Sequence, residues 1–208
     1  MGVVTGVQGI RWYDLIFIGK ETHAGPTPMS QRHDPVQVLL PALQRIYALA
    51  DDYAPHGRIT VGDFTADPGV INTVPGRLTI KLDLRHPDAT VLTAMDSAVR
   101  TIVQEETTDN GVEGQVNEIW YSPPVSFAPE CIAAVKQAVA VTGAQAMNIV
   151  SGAGHDAVYL SKAGPTSMIF VPCENGLSHN ELENASREDL AAGANVLLHA
   201  VLEMANAG

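Results

Sequence analysis

Apolar and polar residues alternate strictly in the stretch RLTIKLDLR at residues 77–85. Three leucines and one isoleucine occupy every second position, which is the period of a half-buried β-strand. We predict a strand whose leucine-rich face covers a core, with Arg85 on the opposite, open face near the strand's end. That arginine is either a solvated residue on a polar sheet face or a guanidinium that binds a carboxylate through two parallel hydrogen bonds.

The segments around this strand predict the rest of a small domain. Apolar residues recur at helical spacing after Asp34, a suitable helix N-cap, and Pro41 is expected to kink that helix or to confine its regular part to later residues. The predicted order is strand 12–18, helix from 35, strands 58–64 and 77–85, helix 89–106 and strand 114–121. This order indicates a four-stranded antiparallel sheet with both helices on one face, a ferredoxin-like layout.

The pattern changes near residue 124, where helices begin to alternate with short apolar strands. The predicted order is helix 128–142, strand 146–150, helix 155–163, strand 166–172 and a final helix capped by Ser186. This alternation is typical of an α/β layer with a buried, mostly parallel sheet. Two predicted strands make only part of such a sheet, and the chain offers few further segments that could pair with them.

Charge and composition exclude some classes of partner. The 208 residues carry a formal net charge of −11 without any cluster of lysine and arginine, so we expect no nucleic-acid partner. Apolar stretches are too short to span a bilayer, and we expect a cytoplasmic protein without a membrane partner. The two cysteines are expected to be free, buried thiols.

Three histidines stand in glycine-rich surroundings. His23 lies in ETHAGPTPM, His155 in SGAGHDA and His179 in GLSHNELE, the last two after the carboxyl end of a predicted strand. A neutral imidazole can bind a divalent metal, but one histidine does not supply the roughly four ligands of a metal site. A metal-free hydrolase built on His155 and Asp156, with Ser151 as nucleophile, is a further possibility, although the G-x-S-x-G elbow is missing.

Five motifs together resemble a known family. GKETHAGPTPM, GVINTVPG, LDLRHPD, SGAGHDA and GLSHNELE occur in the order found in the N-carbamoyl-L-amino acid hydrolases, with β-ureidopropionases and allantoate amidohydrolases as close relatives. All belong to the zinc aminoacylase–carboxypeptidase metallopeptidase superfamily. The resemblance implies three segments: residues 1–11 as the end of a catalytic-domain segment or hinge, 12–123 as a lid and dimerisation domain, and 124–208 as the C-terminal part of an α/β zinc-exopeptidase-type catalytic domain.

The resemblance also implies roles for individual residues. His179 looks like a metal ligand, and His23 looks like the lid histidine that polarises the scissile carbonyl, often in the partner subunit's active site. The remaining implied residues all contact substrate, with Asn72 and Arg85 gripping its carboxylate and Gly154 and His155 lining its pocket.

The implied activity is metal-dependent hydrolysis of the carbamoyl C–N bond of N-carbamoyl-L-amino acids, in a homodimer formed through the lid. Allantoate and N-carbamoyl-β-alanine are alternative ureido substrates, and zinc, manganese, cobalt or nickel would suit histidine and carboxylate ligands. However, the family's His-x-Asp element and further histidine are not found before the lid segment, and Glu105 and Glu106 end the predicted lid helix and do not match the family's Glu-Glu pair. We therefore expect a C-terminal half that binds metal incompletely, lacks its N-terminal catalytic half and is inactive alone. The alternative is a non-catalytic dimerisation or carboxylate-binding module.

Overall fold

The computed structural model describes residues 1–206, and these form two compact units. One unit is Gly9–Pro124, and the other combines Met1–Gln8 with Val125–Gly208. The strands are β1 (Gly2–Val7), β2 (Gly9–Ile18), β3 (Thr22–His23), β4 (Arg58–Asp67), β5 (Thr73–Val74), β6 (Arg77–His86), β7 (Glu113–Ser122), β8 (Val125–Ser126), β9 (Met147–Ser151) and β10 (Met168–Phe170). The helices are α1 (Pro35–Asp52), α2 (Ala89–Thr107), α3 (Pro129–Thr142), α4 (Ala157–Leu160) and α5 (Arg187–Asn206).

The Gly9–Pro124 unit confirms the ferredoxin-like layout. Its main sheet has the order β4-β6-β2-β7, and every neighbouring pair is antiparallel. The buried face of β6 carries Leu78, Ile80, Leu82 and Leu84, which pack with residues of α1 and α2 in one core. The alternation along β6 therefore places Arg85 on the face away from the helices, as the sequence predicts.

Both helices of this unit begin as their sequences indicate. Asp34 accepts a hydrogen bond from the backbone N–H of Val36, and Asp88 accepts two from the first turn of α2. Such caps satisfy N–H groups that the first turn of a helix leaves without partners. Helix α1 runs through Pro41 without interruption, so its regular part is not confined to the residues after the proline.

The second unit contains a four-stranded sheet centred on β1, a strand that the sequence pattern did not predict. Only β9 pairs with β1 in parallel, whereas β8 and β10 are antiparallel to it, so the expectation of a mostly parallel sheet is wrong. Helix α4, between β9 and β10, is also shorter than expected, with four residues instead of nine.

Helices α3 and α5 pack together with β1 around a small core that includes Val3, Val135 and Val196. Beside this core, α3, β10 and α5 border an open groove of about 930 Å³ with a mostly apolar lining. Exposed leucines continue the apolar surface along α5, including Leu197 and Leu198. The unit thus presents more apolar surface than its own residues cover.

Two remaining expectations concern the cysteines and the membrane. Cys131 and Cys173 are both free thiols, as expected, but they are half-buried and not fully buried. Within the described part of the chain, no helix is long and apolar enough to cross a bilayer.

Candidate functional site

His23 lies in a short two-stranded sheet outside the main sheet of the Gly9–Pro124 unit. Strand β3 pairs with β5, so that His23 lies opposite Thr73, and the backbone N–H of Ala24 donates to the carbonyl of Asn72 at 2.9 Å. The side chains of His23 and Asn72 are both exposed. The structure therefore brings together two of the residues that the motifs singled out.

The backbone after His23 selects the form of its imidazole. The N–H of Gly25 donates to Nδ1 of His23 at 3.1 Å, so Nδ1 is an acceptor and carries no proton. The neutral ring then holds its proton on Nε2, which becomes a hydrogen-bond donor. A donor of this kind suits an oxygen that gains negative charge during a reaction.

Arg32 holds the loop that follows His23, a role that sequence reasoning missed. Its Nε donates to the carbonyl of Thr27 at 3.1 Å and its Nη2 donates to the carbonyl of Ala24 at 2.6 Å. The side chain of Arg32 thus connects the end of the loop to two backbone carbonyls nearer its start. No local motif predicts this contact, because both acceptors are backbone oxygens.

Arg85 is held on the open face of the main sheet by Asp83. Its Nε and Nη2 donate to the two carboxylate oxygens of Asp83 at 2.8 and 2.7 Å, and these bonds raise the pKa of the guanidinium. The indole Nε1 of Trp12 also donates to Asp83, at 2.7 Å. The spacing of Asp83 and Arg85 by two residues, on one face of a strand, is the sequence signal that could have identified this pair.

His23 and Asn72 do not lie at the end of the sheet that carries Arg85. They follow the end of β2 and precede the start of β6, where Gly19 donates to the carbonyl of Gly76. Arg85 lies eight residues beyond Arg77 along β6, a span of about 26 Å at the usual rise of a strand. No described contact joins Arg85 to His23 or Asn72 in residues 1–206.

The SGAGHD loop belongs to the other unit and is open at Gly154. A Cβ at Gly154 would meet no atom within 4 Å, and the ring of His155 lies 5.4 Å from that of Phe170. Ser151 is buried, and its hydroxyl donates to the carbonyl of Ala153 and accepts from the N–H of the same residue. These bonds assign the Ser151 hydroxyl to the turn of the loop and do not favour its use as a nucleophile.

His179 is exposed and has a backbone φ of 58°. A residue other than glycine in this left-handed region costs roughly 1–3 kcal/mol, and such residues are frequent at functional sites. The side chain of Glu183 stabilises the turn by accepting from the backbone N–H of His179 at 2.7 Å. Glu183 therefore bonds to the backbone of His179, and not to its imidazole.

The metal site that the motif resemblance implies is not complete within residues 1–206. In residues 1–206, no group of three or more histidine, cysteine, aspartate or glutamate side chains is arranged to hold a metal ion. A divalent metal in such an enzyme takes about four ligands, three or more of them from protein. His179 alone does not fit that requirement.

The comparisons with known proteins decide the family. Residues 12–203 match the model of peptidase family M20/M25/M40. The chain belongs to this family. Its members are generally metal-dependent.

Several relatives of this family member are amidohydrolases. The chain is 38% identical over 205 residues to an N-carbamoyl-L-amino-acid amidohydrolase of Rhizobium meliloti, covering 99% of this chain and 49% of that protein. An allantoate amidohydrolase of Bacillus subtilis is 30% identical, with 99% and 50% covered. The crystal structure of an amidase of the hydantoinase/carbamoylase family from Burkholderia multivorans superposes with a TM-score of 0.89 at 48% identity, covering 97% of this chain and 49% of that one.

The chain thus spans about half the length of the relatives that it matches. The resemblance drawn from the five motifs is confirmed by these matches, as is the mixed α/β fold class.

Proposed function

We propose that this chain is part of an amidohydrolase that hydrolyses the carbamoyl C–N bond of N-carbamoyl-L-amino acids. The observation that carries the proposal is that the chain holds two groups suited to the two ends of a ureido acid, a guanidinium fixed by Asp83 at Arg85 and an imidazole donor at His23. The similarity to amidohydrolases acting on N-carbamoyl-L-amino acids and on allantoate supports the same substrate class.

Each residue would act on a different end of the substrate. Arg85 would bind the carboxylate, and the Nε2–H of His23 would donate to the carbonyl oxygen as that oxygen gains negative charge. Asn72, next to His23, would add an amide donor or acceptor. Gly154 and His155 would line the substrate pocket, and the products would be an amino acid, ammonia and carbon dioxide.

We further propose that two copies of the chain share each substrate. A ureido acid is much shorter than the span of about 26 Å that β6 places between its first residue and Arg85. His23 and Asn72 would therefore serve a substrate that Arg85 of a second copy holds. The outer strand β4 is a suitable dimer contact, because an edge strand offers backbone groups for pairing.

A further segment like the other half of the longer relatives would cover the apolar groove bordered by α3, β10 and α5. The relatives are about twice as long as this chain, and the groove leaves the apolar surface of α5 uncovered. The same half would supply the metal ligands that His179 requires. We propose zinc as the bound metal, with manganese, cobalt and nickel as alternatives.

A chimera tests the proposal. This chain replaces the matching half of the Rhizobium meliloti amidohydrolase, and hydrolysis of N-carbamoyl-L-alanine and of allantoate is measured with and without added zinc or manganese. We expect metal-dependent hydrolysis of N-carbamoyl-L-alanine by the chimera and none by the 208-residue chain alone. A folded, metal-loaded chimera that hydrolyses neither compound contradicts the proposal, and turnover by the isolated chain contradicts its dependence on the other half.

A carboxylate-binding module without catalysis is the second candidate for the chain on its own. It is favoured by the absence of a three-ligand metal group in residues 1–206 and by the separate core of the Gly9–Pro124 unit. Binding of N-carbamoyl-L-alanine by the isolated chain, without turnover, distinguishes this role from that of an enzyme.

A further inference from the structure

The open face of the main sheet carries a chain of three contacts that ends at Arg85. The Trp12 indole donates to Asp83, and Asp83 accepts two bonds from the guanidinium of Arg85. The ring of Trp12 packs against that of Trp120 in a tilted arrangement, with ring centroids 4.5 Å apart and an angle of 42° between the planes. All of these residues lie on adjacent strands, because β2 pairs with both β6 and β7.

Two neighbours hold the carboxylate of Asp83 from different sides. Trp12 lies directly opposite Asp83 in the register of β2 and β6, and its side chain reaches Oδ2. Arg85 lies two residues farther along β6 and takes both oxygens. A carboxylate fixed in this way cannot rotate without losing a bond to one of the two partners.

The geometry of the Arg85–Asp83 pair fixes the plane of the guanidinium. Its bonds run from Nε and Nη2, so the carboxylate lies along one side of the planar group. These two bonds use two of the five N–H donors that a guanidinium has and set the orientation of the whole planar group. An arginine side chain has about 2 kcal/mol of rotamer entropy, and prior fixation by Asp83 reduces what ligand binding must still order.

We propose that Asp83, anchored by Trp12, is a positioning residue that aims Arg85 at the substrate's carboxylate. The inference deepens the proposed function and rests on it, since it takes Arg85 as the carboxylate site. The opposite role is physically reasonable too: as a competing anion, Asp83 would weaken carboxylate binding. The two roles predict opposite signs for the same substitution.

The same sheet face offers a matched control. Lys81 donates to Asp14 at 2.7 Å, and this pair joins β6 to β2 as the contact between Asp83 and Trp12 does. The side chain of Asp14 is 24% exposed and that of Asp83 is 18% exposed. Asp14→Asn therefore removes a similar charge from a similar environment without touching Arg85.

The test is an NMR titration of the 208-residue chain with N-carbamoyl-L-alanine and with N-carbamoyl-L-alaninamide, which lacks the carboxylate. The indole N–H of Trp12 and the Nε–H of Arg85 report binding and the order of the guanidinium. We expect Asp83→Asn to weaken binding of the carboxylate probe about tenfold, corresponding to ~1.4 kcal/mol, while binding of the amide stays unchanged. Asp14→Asn should bind both probes as the wild type does, and Asp83→Glu should recover part of the loss.

The outcomes separate this inference from the proposed function. If the wild type binds both probes equally, Arg85 is not a carboxylate site, and both ideas are overturned. If Arg85→Ala abolishes the preference for the carboxylate but Asp83→Asn retains it, only the positioning role is overturned. Tighter binding of the carboxylate by Asp83→Asn would make Asp83 a competitor. If Asp83→Asn weakens the binding of both probes equally, the role of Asp83 is purely structural, and the inference is overturned.

Discussion

Substitution of Arg32 by alanine should loosen the loop that presents His23 without unfolding the domain around it. The guanidinium of Arg32 bonds to two backbone carbonyls of that loop, those of Thr27 and Ala24. Each charged hydrogen bond contributes about 1.5–3 kcal/mol when it is well shielded. Arg32 is half-buried and water can replace it at both carbonyls, so we expect a combined loss of about 1–3 kcal/mol in the free energy of local opening.

Hydrogen exchange of two amides measures this opening. The N–H of Ala24 bonds to Asn72, and the N–H of Gly25 bonds to Nδ1 of His23. A loss of 1–3 kcal/mol accelerates their exchange by roughly five- to 150-fold if they exchange through opening of this loop. Arg32→Lys should give an intermediate rate, because one ammonium does not reproduce the planar fork.

The control for Arg32 is Arg45→Ala. Arg45 bonds to Glu105 and Glu106 on the surface, at 2.6 and 2.7 Å, and does not touch the loop. Exchange of the Ala24 and Gly25 amides should match the wild type in this variant. Equal exchange rates in wild type and Arg32→Ala would refute the reasoning, because the loop would then hold His23 without the arginine.

Three further predictions concern stability and metal binding. Tyr13→Phe should lower the free energy of unfolding by about 1–2 kcal/mol in urea denaturation, since the buried hydroxyl donates to Asp96 at 2.9 Å, whereas Tyr159→Phe on the surface should have no effect. Backbone N–H groups lower the pKa of Asp88, so its carboxylate stabilises the fold above about pH 4 and this stabilisation is lost as pH falls through the lowered pKa. The stability advantage of wild type over Asp88→Ala should therefore shrink on acidification, and a constant difference would contradict this cause. In the chimera, His179→Ala should lower the zinc content per chain measured by atomic absorption, and unchanged zinc would remove His179 from the ligands.

Local patterns were sufficient where the physical cause is local. The alternation of residues 77–85 predicts the buried and open faces of β6, because side chains of a strand point to opposite sides in turn. Asp34 could be identified as a cap because its side chain bonds to an N–H only two residues away. The order of helices and strands in residues 12–122 likewise predicts the four-stranded sheet.

Those local patterns do not predict contacts between residues that are far apart in the sequence. Strand β1 is a short run of small and apolar residues, and it becomes a strand because β9 and β10, more than 140 residues away in sequence, pair with it. The direction in which each partner strand runs beside β1 depends on the path of the chain between the strands, which hydrophobic periodicity does not encode.

The candidate site shows the same division. Motifs in the sequence identify His23, Asn72 and Arg85 as chemically suited residues, because each side chain's donors and acceptors are fixed by residue type. Only the tertiary structure places His23 beside Asn72, sets the proton of its imidazole on Nε2 and pairs Arg85 with Asp83. These properties depend on distances between atoms of different strands and loops, and a linear pattern of residue types contains no such distances.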